Sequence, residues 1–341
     1  MLNRKIKILI VDDSPLFRKM LQDNLNKIDD FEVIGTAMNA DDAMAKIKLQ
    51  KPDVITLDNE MPRMSGIEFL KVLIPQNPIP CIVVTATAMN AFDAVNNGAV
   101  DFIKKPSGAE FNTFMTELAG KIRIAKISRV RRLAATTPTP SVLPSNITNF
   151  DDRKVIAIGA STGGTEAIIE VVKNLPATTP GIVIVQHMPA GFTKMYAERL
   201  NKLCKMSCIE AYEGARVERG KIIVGAGEFQ MSIAKDSKGY YVHSQRGEKV
   251  SGHCPSVDVL FDSVADVVGK NAVGAILTGM GQDGAKGLLK MKKNGAYTIG
   301  QDKDTCVVYG MPMVAYNIGG VMKQLPLEKI GAEIINQINK G

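Results

Sequence analysis

Three residue types that together make an acyl-transfer centre recur at the ends of apolar runs. Ser161 closes Val155-Ile-Ala-Ile-Gly-Ala-Ser161-Thr-Gly-Gly164, His187 follows Pro180-Gly-Ile-Val-Ile-Val-Gln186, and Asp283 lies in Leu277-Thr-Gly-Met280-Gly-Gln-Asp283-Gly284. A serine hydroxyl is a weak nucleophile until a base takes its proton, and an imidazole is a better base when an acid orients it. Ser161, His187 and Asp283 could fill those roles, with His187 returning the proton to the leaving group. Main-chain N–H groups near Gly163 to Thr165, and in the loop Gly279-Met280-Gly281, could then face a developing oxyanion. Each residue also has an ordinary reading. Ser161 could cap a helix, and Asp283 could cap the helix that begins at Gly284. One histidine of only three in the chain is more often a structural hydrogen bonder. The other two serve as controls: His243 sits in a polar strand-like run and His253 in a loop. The conjunction of all three residues at strand ends carries the catalytic reading.

A second set lies in the first third of the chain. Asp12-Asp13, Asp58, Thr85 and Lys105 each follow an apolar run. Carboxylates that converge repel one another and call for a cation, and hard oxygen ligands of this kind suit Mg²⁺. A lysine and a hydroxyl beside them suit a phosphoryl group. Any one of these aspartates could be a helix cap; five such residues at consecutive strand ends argue against that.

The serine turn is also compatible with a phosphate cradle, because a strand-to-helix turn aims free N–H groups outward. Gly159-x-x-x-Gly163 resembles part of a dinucleotide fingerprint. Against it, Thr165 occupies the third glycine position, and the next strand ends in His187 where an acidic ribose ligand is expected. No Tyr-x-x-x-Lys pair occurs, and no lysine follows the glycines.

The elements that position these groups alternate. Strands are expected at Ile6–Val11, Phe31–Ala37, Pro52–Leu57, Ile79–Val84 and Ala99–Ile103. The first two helices start at a Ser14-Pro15 cap, with Leu16, Phe17, Met20, Leu21 and Leu25 on the apolar face, and at Ala40. This βαβ alternation predicts an open parallel sheet with helices on both faces. Residues 126–152 lose the pattern, and Ala134 to Pro144 is rich in Pro, Thr and Ser, as an extended tether is. Beyond it strands are expected at 155–160, 180–186, 272–277 and 296–300. Helices are expected at 166–173, 195–203, 256–268, 285–293 and 327–338. Short strands at Lys221–Gly225, Met231–Ala234 and Tyr240–Val242 suggest a local antiparallel insertion. The expected fold class is therefore α/β throughout, as two doubly wound parallel sheets: a domain over 1–125, a linker over 126–152 and a second domain over 153–341.

Composition narrows the setting. At 341 residues the chain suits two domains, and 45% hydrophobic residues suffice for two cores. No apolar run approaches a membrane span, and the charged start is unlike a secretory signal, so a cytoplasmic protein without membrane insertion is expected. The five cysteines are scattered, and Cys204/Cys208 lack a second pair to complete a zinc site. The net charge of +7 is concentrated partly in Lys121 to Arg132 without interleaved aromatics, and no helix-turn-helix is evident, so no nucleic-acid partner is expected.

The first domain resembles the receiver domain of two-component response regulators, a flavodoxin-like fold. The resemblance rests on Asp12-Asp13, Leu57-Asp58-Asn-Glu-Met-Pro62, Val84-Thr85-Ala86 and Asp101-Phe-Ile-Lys-Lys105-Pro106. It implies that Asp58 accepts a phosphoryl group from a histidine kinase. It further implies that Asp13, Asp58 and the Glu60 carbonyl hold Mg²⁺, with Asp12 assisting through water. Thr85 and Lys105 would contact the phosphoryl group, and Phe102 matches the aromatic switch position. The whole chain resembles the chemotaxis response-regulator protein-glutamate methylesterase family, through Ile158-Gly-Ala-Ser161-Thr-Gly-Gly164, Val185-Gln-His187-Met-Pro189, Pro255-Ser-Val-Asp258-Val-Leu-Phe261 and Leu277-Thr-Gly-Met280-Gly-Gln-Asp283-Gly284. That resemblance implies a Rossmann-like catalytic domain without a cofactor of its own, which hydrolyses glutamate γ-methyl esters on the cytoplasmic helices of chemoreceptors and deamidates receptor glutamines. Met280 matches the position whose N–H serves the oxyanion, and Thr162 a hydroxyl that helps hold the histidine. One departure is His253-Cys254 ahead of Pro255, where the resemblance leads one to expect an arginine just before the proline. The alternative from a different class is a response regulator whose second domain only binds a ligand or partner.

Overall fold

The structure is a computed structural model, and it describes residues 4–85, 88–107, 110–130, 151 and 153–340. The chain divides into two compact units, Met1–Thr137 and Pro138–Gly341. Most of the expected linker, including Ala134 to Pro144, lies outside the described residues. The last helix of the first unit ends at Ile127.

The first unit runs β1 (Ile6–Val11), α1 (Pro15–Leu25), β2 (Phe31–Ala37), α2 (Ala40–Gln50), β3 (Val54–Asp58), α3 (Gly66–Gln76), β4 (Cys81–Thr85), α4 (Ala88–Asn96), β5 (Asp101–Lys104) and α5 (Phe111–Ile127). All pairings are parallel, in the order β2-β1-β3-β4-β5. Ser14 caps α1, its hydroxyl accepting from the Phe17 N–H, and Pro15 needs no N–H in the first turn. Leu21 and Leu25 of α1 are buried, but Leu16, expected on the apolar face, is exposed. Helix α3 starts at a full capping box in which Ser65 and Glu68 exchange hydrogen bonds.

The second unit contains β6 (Val155–Ala160), α6 (Gly164–Val172), β7 (Ile182–Gln186), α7 (Phe192–Leu203), β8 (Ser207–Glu210), β9 (Lys221–Val224), β10 (Phe229–Asp236) and β11 (Gly239–Arg246). It continues with α8 (Val257–Val267), β12 (Ala272–Ile276), α9 (Ala285–Lys293), β13 (Tyr297–Gln301), α10 (Met311–Asn317), β14 (Lys323–Leu325) and α11 (Leu327–Asn339). Seven parallel strands form its main sheet, ordered β14-β13-β12-β6-β7-β9-β8. Strands β6, β7 and β12 are buried along their whole length, which is why they read as continuous apolar runs. The antiparallel insertion is real but smaller than expected. It is the hairpin β10–β11 alone, whereas Lys221–Val224 joins the main sheet beside β7. The order reverses on either side of β6, and in open α/β sheets ligands bind beyond the strand carboxyl ends at such a switch point. Among the described residues no helix is long and apolar enough to cross a membrane.

Candidate active site

The register of the main sheet brings the three triad candidates to one edge. Ala160 of β6 pairs with Gln186 of β7, so Ser161 and His187 leave adjacent strands side by side. The His187 N–H donates to the Ala160 carbonyl at 3.2 Å. The Gln186 side-chain amide donates to the carbonyls of both Ser161 (2.9 Å) and His187 (3.2 Å) and ties the two turns together. On the other side β12 pairs with β6, and the Ser161 N–H donates to the Thr278 carbonyl at 3.0 Å. Two glycines are required here. Gly163 has φ +76° and a Cβ on it would meet Val307 Cβ at 2.6 Å, while a Cβ on Gly164 would meet Gln186 Oε1 at 2.1 Å.

Asp283 accepts from His187 Nε2 at 2.7 Å. The same carboxylate, 2% exposed, accepts from the Ser256 hydroxyl (2.7 Å) and from the N–H groups of Val257 (2.7 Å) and Asp258 (3.1 Å). It therefore sits on the amino end of α8. It does not cap α9, whose N-cap Gly284 makes no side-chain cap bond. Burial pushes the Asp283 carboxyl up, but the hydrogen bonds from His187, Ser256 and Val257 outweigh it and the net shift is downward. An anion held this way makes Nε2 the donating nitrogen of the His187 ring. The other nitrogen, Nδ1, is buried and has no hydrogen-bond partner among the described residues. Neither Ser161 nor Thr162, whose hydroxyl the resemblance casts as a support for the ring, bonds to it.

The oxyanion candidates separate. The Gly164 N–H donates to the Ser161 carbonyl at 2.7 Å and is not available, so Gly164 acts through its missing side chain instead. The N–H groups of Gly163 and Met280 have no acceptor among the described residues. Met280 lies in a loop held at Gly279, whose carbonyl accepts from Gly310 (3.1 Å) and Met311 (2.8 Å). Sequence reasoning missed Gln186, Ser256 and Thr278. Gln186 was legible as a polar residue ending a buried apolar strand; Ser256 and Thr278 act through partners remote in sequence and left no local signal.

In the first unit Asp12, Asp58 and Thr85 are buried and Asp13 is exposed. One carboxylate oxygen each from Asp12, Asp13 and Asp58 lies within 4.8 Å of the others. Lys105 Nζ bridges Asp58 (2.8 Å) and Asp12 (3.1 Å). Burial, and then the charge of Asp58, push Asp12 up from 3.8 to about 6 despite Lys105. Burial disfavours the Lys105 ammonium, yet the two carboxylates outweigh it and its net shift is upward. One lysine thus leaves the acidic cluster short of positive charge. Phe102 is buried, edge-on to Phe92 with ring centroids 5.9 Å apart.

The model of the CheB methylesterase family matches residues 156–334, and that of the response regulator receiver domain matches residues 8–113. The chain belongs to the CheB methylesterase family. A protein-glutamate methylesterase/protein-glutamine glutaminase 2 of Syntrophomonas wolfei subsp. wolfei is 52% identical over 99% of both chains. A protein-glutamate methylesterase/protein-glutamine glutaminase of Agrobacterium fabrum is 47% identical over 96% of this chain and 95% of its own. The CheB methylesterase catalytic domain of Thermotoga maritima superposes with a TM-score of 0.53 at 36% identity, covering 54% of this chain and 97% of that domain. The family match spans Ser161, His187 and Asp283, and the receiver match spans the acidic cluster and Lys105.

Proposed function

We propose that this chain is a phosphorylation-regulated serine esterase that hydrolyses glutamate γ-methyl esters on the cytoplasmic helices of chemoreceptors and deamidates receptor glutamines. The supporting observation is the 2.7 Å contact between His187 Nε2 and a fully engaged Asp283, one strand from Ser161. With Nε2 committed, Nδ1 is the nitrogen that takes the Ser161 proton as Oγ attacks the ester carbonyl. The free N–H groups of Met280 and Gly163 receive the oxyanion. The imidazolium returns its proton to the departing methoxide, and methanol leaves an acyl-enzyme. Water, deprotonated by Nδ1, then releases the glutamate carboxylate; from a glutamine the first leaving group is ammonia. The open Ser161–Nδ1 contact closes on substrate binding, as catalytic hydrogen bonds of free enzymes commonly do.

In the receiver, Asp58 is the acceptor for a phosphoryl group from a histidine kinase. The three carboxylates and the Glu60 carbonyl suit Mg²⁺, whose charge the cluster needs and which, when bound, neutralises the transferring group. Lys105, which already reaches Asp58, and Thr85 would contact the phosphoryl oxygens, and Phe102 would repack in response. Ser161→Ala is expected to abolish methanol release from methylated receptor while Asp58 still takes up phosphate. Wild-type turnover by that variant sinks the reading. A fluorophosphonate probe should label Ser161 in the wild type.

A further inference from the structure

We propose that His253 is a positioning residue for this reaction, holding the plane of His187 and stabilising the imidazolium that His187 becomes; the inference rests on the triad reading above. The two imidazoles lie face to face, with centroids 3.6 Å apart and planes 8° from parallel. The side chain of His187 is only 7% exposed, so His253 forms one wall of its slot.

His253 is not there by chance of a loose loop. Val250 and His253 exchange both main-chain hydrogen bonds, at 3.0 and 2.9 Å, across Ser251 (φ +52°) and Gly252 (φ +85°). Two consecutive left-handed residues make this a tight primed turn, which sets the direction of the His253 side chain. The Gln230 amide donates to the His253 carbonyl at 3.3 Å, and its oxygen accepts from the Ser256 N–H at 2.8 Å. Three residues after His253, Ser256 begins the group of donors that hold Asp283. One continuous segment therefore fixes both the carboxylate at the edge of the His187 ring and the ring over its face.

The charge state decides what this stack is worth. Two neutral rings face to face gain little, because their quadrupoles favour offset or edge-on packing. A cation over the face of a neutral ring is attracted. The stack thus gains energy when the proton moves from Ser161 Oγ to His187 Nδ1 as the Oγ–carbon bond forms, and loses that gain when the proton passes to the leaving group. His253 takes no proton from the reacting groups and makes no covalent bond to them; it acts only through His187. An interaction stronger in the transition state than in the free enzyme raises kcat and leaves KM alone.

The test uses the full chain with methylated chemoreceptor in membrane vesicles. His253→Ala should lower kcat at least about tenfold, the rate equivalent of a desolvated cation–π contact, with KM within about twofold. His253→Phe keeps a flat π face without a titratable nitrogen, and should return kcat to within about threefold of wild type. Wild-type kcat in His253→Ala overturns the proposal, as does a loss carried by KM alone. So does a His253→Phe variant that is folded by circular dichroism and no faster than His253→Ala. Ser161→Ala run beside them separates the two readings: activity there removes the triad itself, whereas an inert Ser161→Ala with a fully active His253→Ala removes only the role of His253.

Discussion

At the scale of single residues, the two units treat buried aspartates in opposite ways. Asp283 has four donors, and its carboxyl is held below the ordinary 3.8. Its stabilising contribution is present above that value and is lost only as the pH falls below it, outside any working range. Asp12 is raised to about 6, first by burial and then by the charge of Asp58. Its proton binds more tightly in the folded than in the unfolded chain. The charged form therefore costs stability above about pH 6, and that cost fades as the pH drops through 6 toward 3.8. Asp12→Asn should raise the receiver's calorimetric transition by about 4 °C or more at pH 7.5, and the gain should shrink to nothing by about pH 4. A variant less stable than wild type at pH 7.5 would show that the Lys105–Asp12 pair outweighs the burial of the charge. The cost is a reasonable one for a cation site, where a strained set of like charges is relieved by the ion.

At the scale of elements, helix ends do the positioning. The amino end of α8 supplies two N–H groups and its dipole to Asp283, so a helix packed against the sheet anchors the acid of the proposed triad. The loop after β12 is pressed equally tightly against Ser161. A Cβ on Gly279 would meet Met311 Sδ at 2.3 Å and Ser161 Cβ at 2.8 Å. The thioether can swing aside, but the serine is fixed by β6 and by the Gln186 bridge. Gly279→Ala should therefore displace Ser161 and lower kcat about 100-fold, measured as methanol release, since misplacement of reacting groups by an ångström has that effect. An unchanged kcat would mean that the Met280 loop yields instead, and that the oxyanion donor is not held where we place it. The buried polar residues Gln186 and Thr278 belong to the same device. Each joins two strand ends, so the turns that carry Ser161 and His187 cannot move independently.

At the scale of the whole molecule, a receiver unit and a methylesterase unit share one chain, and the proposed reading is that phosphorylation of the first regulates the second. Asp58→Asn should keep the basal rate of methanol release and lose the increase that a phosphodonor brings to the wild type. Chelation of Mg²⁺ should have the same effect on the unmodified chain. A fall in the basal rate on chelation would place a metal in the esterase unit and contradict the proposed chemistry. The apolar cores of the two units are built alike, from strands buried on both faces, and their functional residues occupy equivalent places past the strand carboxyl ends.

Strand and helix positions were legible in the chain because apolar periodicity is a local property. The ends of β1, β3, β4, β6 and β7, where Asp12, Asp58, Thr85, Ser161 and His187 fall, and the end of β12 ahead of the Asp283 loop, could be read to within a residue or two. The residue types at those ends were enough to state the chemistry and to carry the family resemblance. Tertiary structure alone decided which partner each group takes. Asp283 engages α8 rather than the adjacent α9, His187 turns Nε2 to Asp283 and leaves Nδ1 without a hydrogen-bond partner among the described residues, and Lys221–Val224 joins the main sheet instead of the hairpin. His253, an unremarkable loop histidine in the sequence, covers the ring of His187. These contacts join residues many tens of positions apart, and they depend on strand order and on turn conformation. No local pattern of side chains encodes a strand order, which is settled only when the sheet closes around its core.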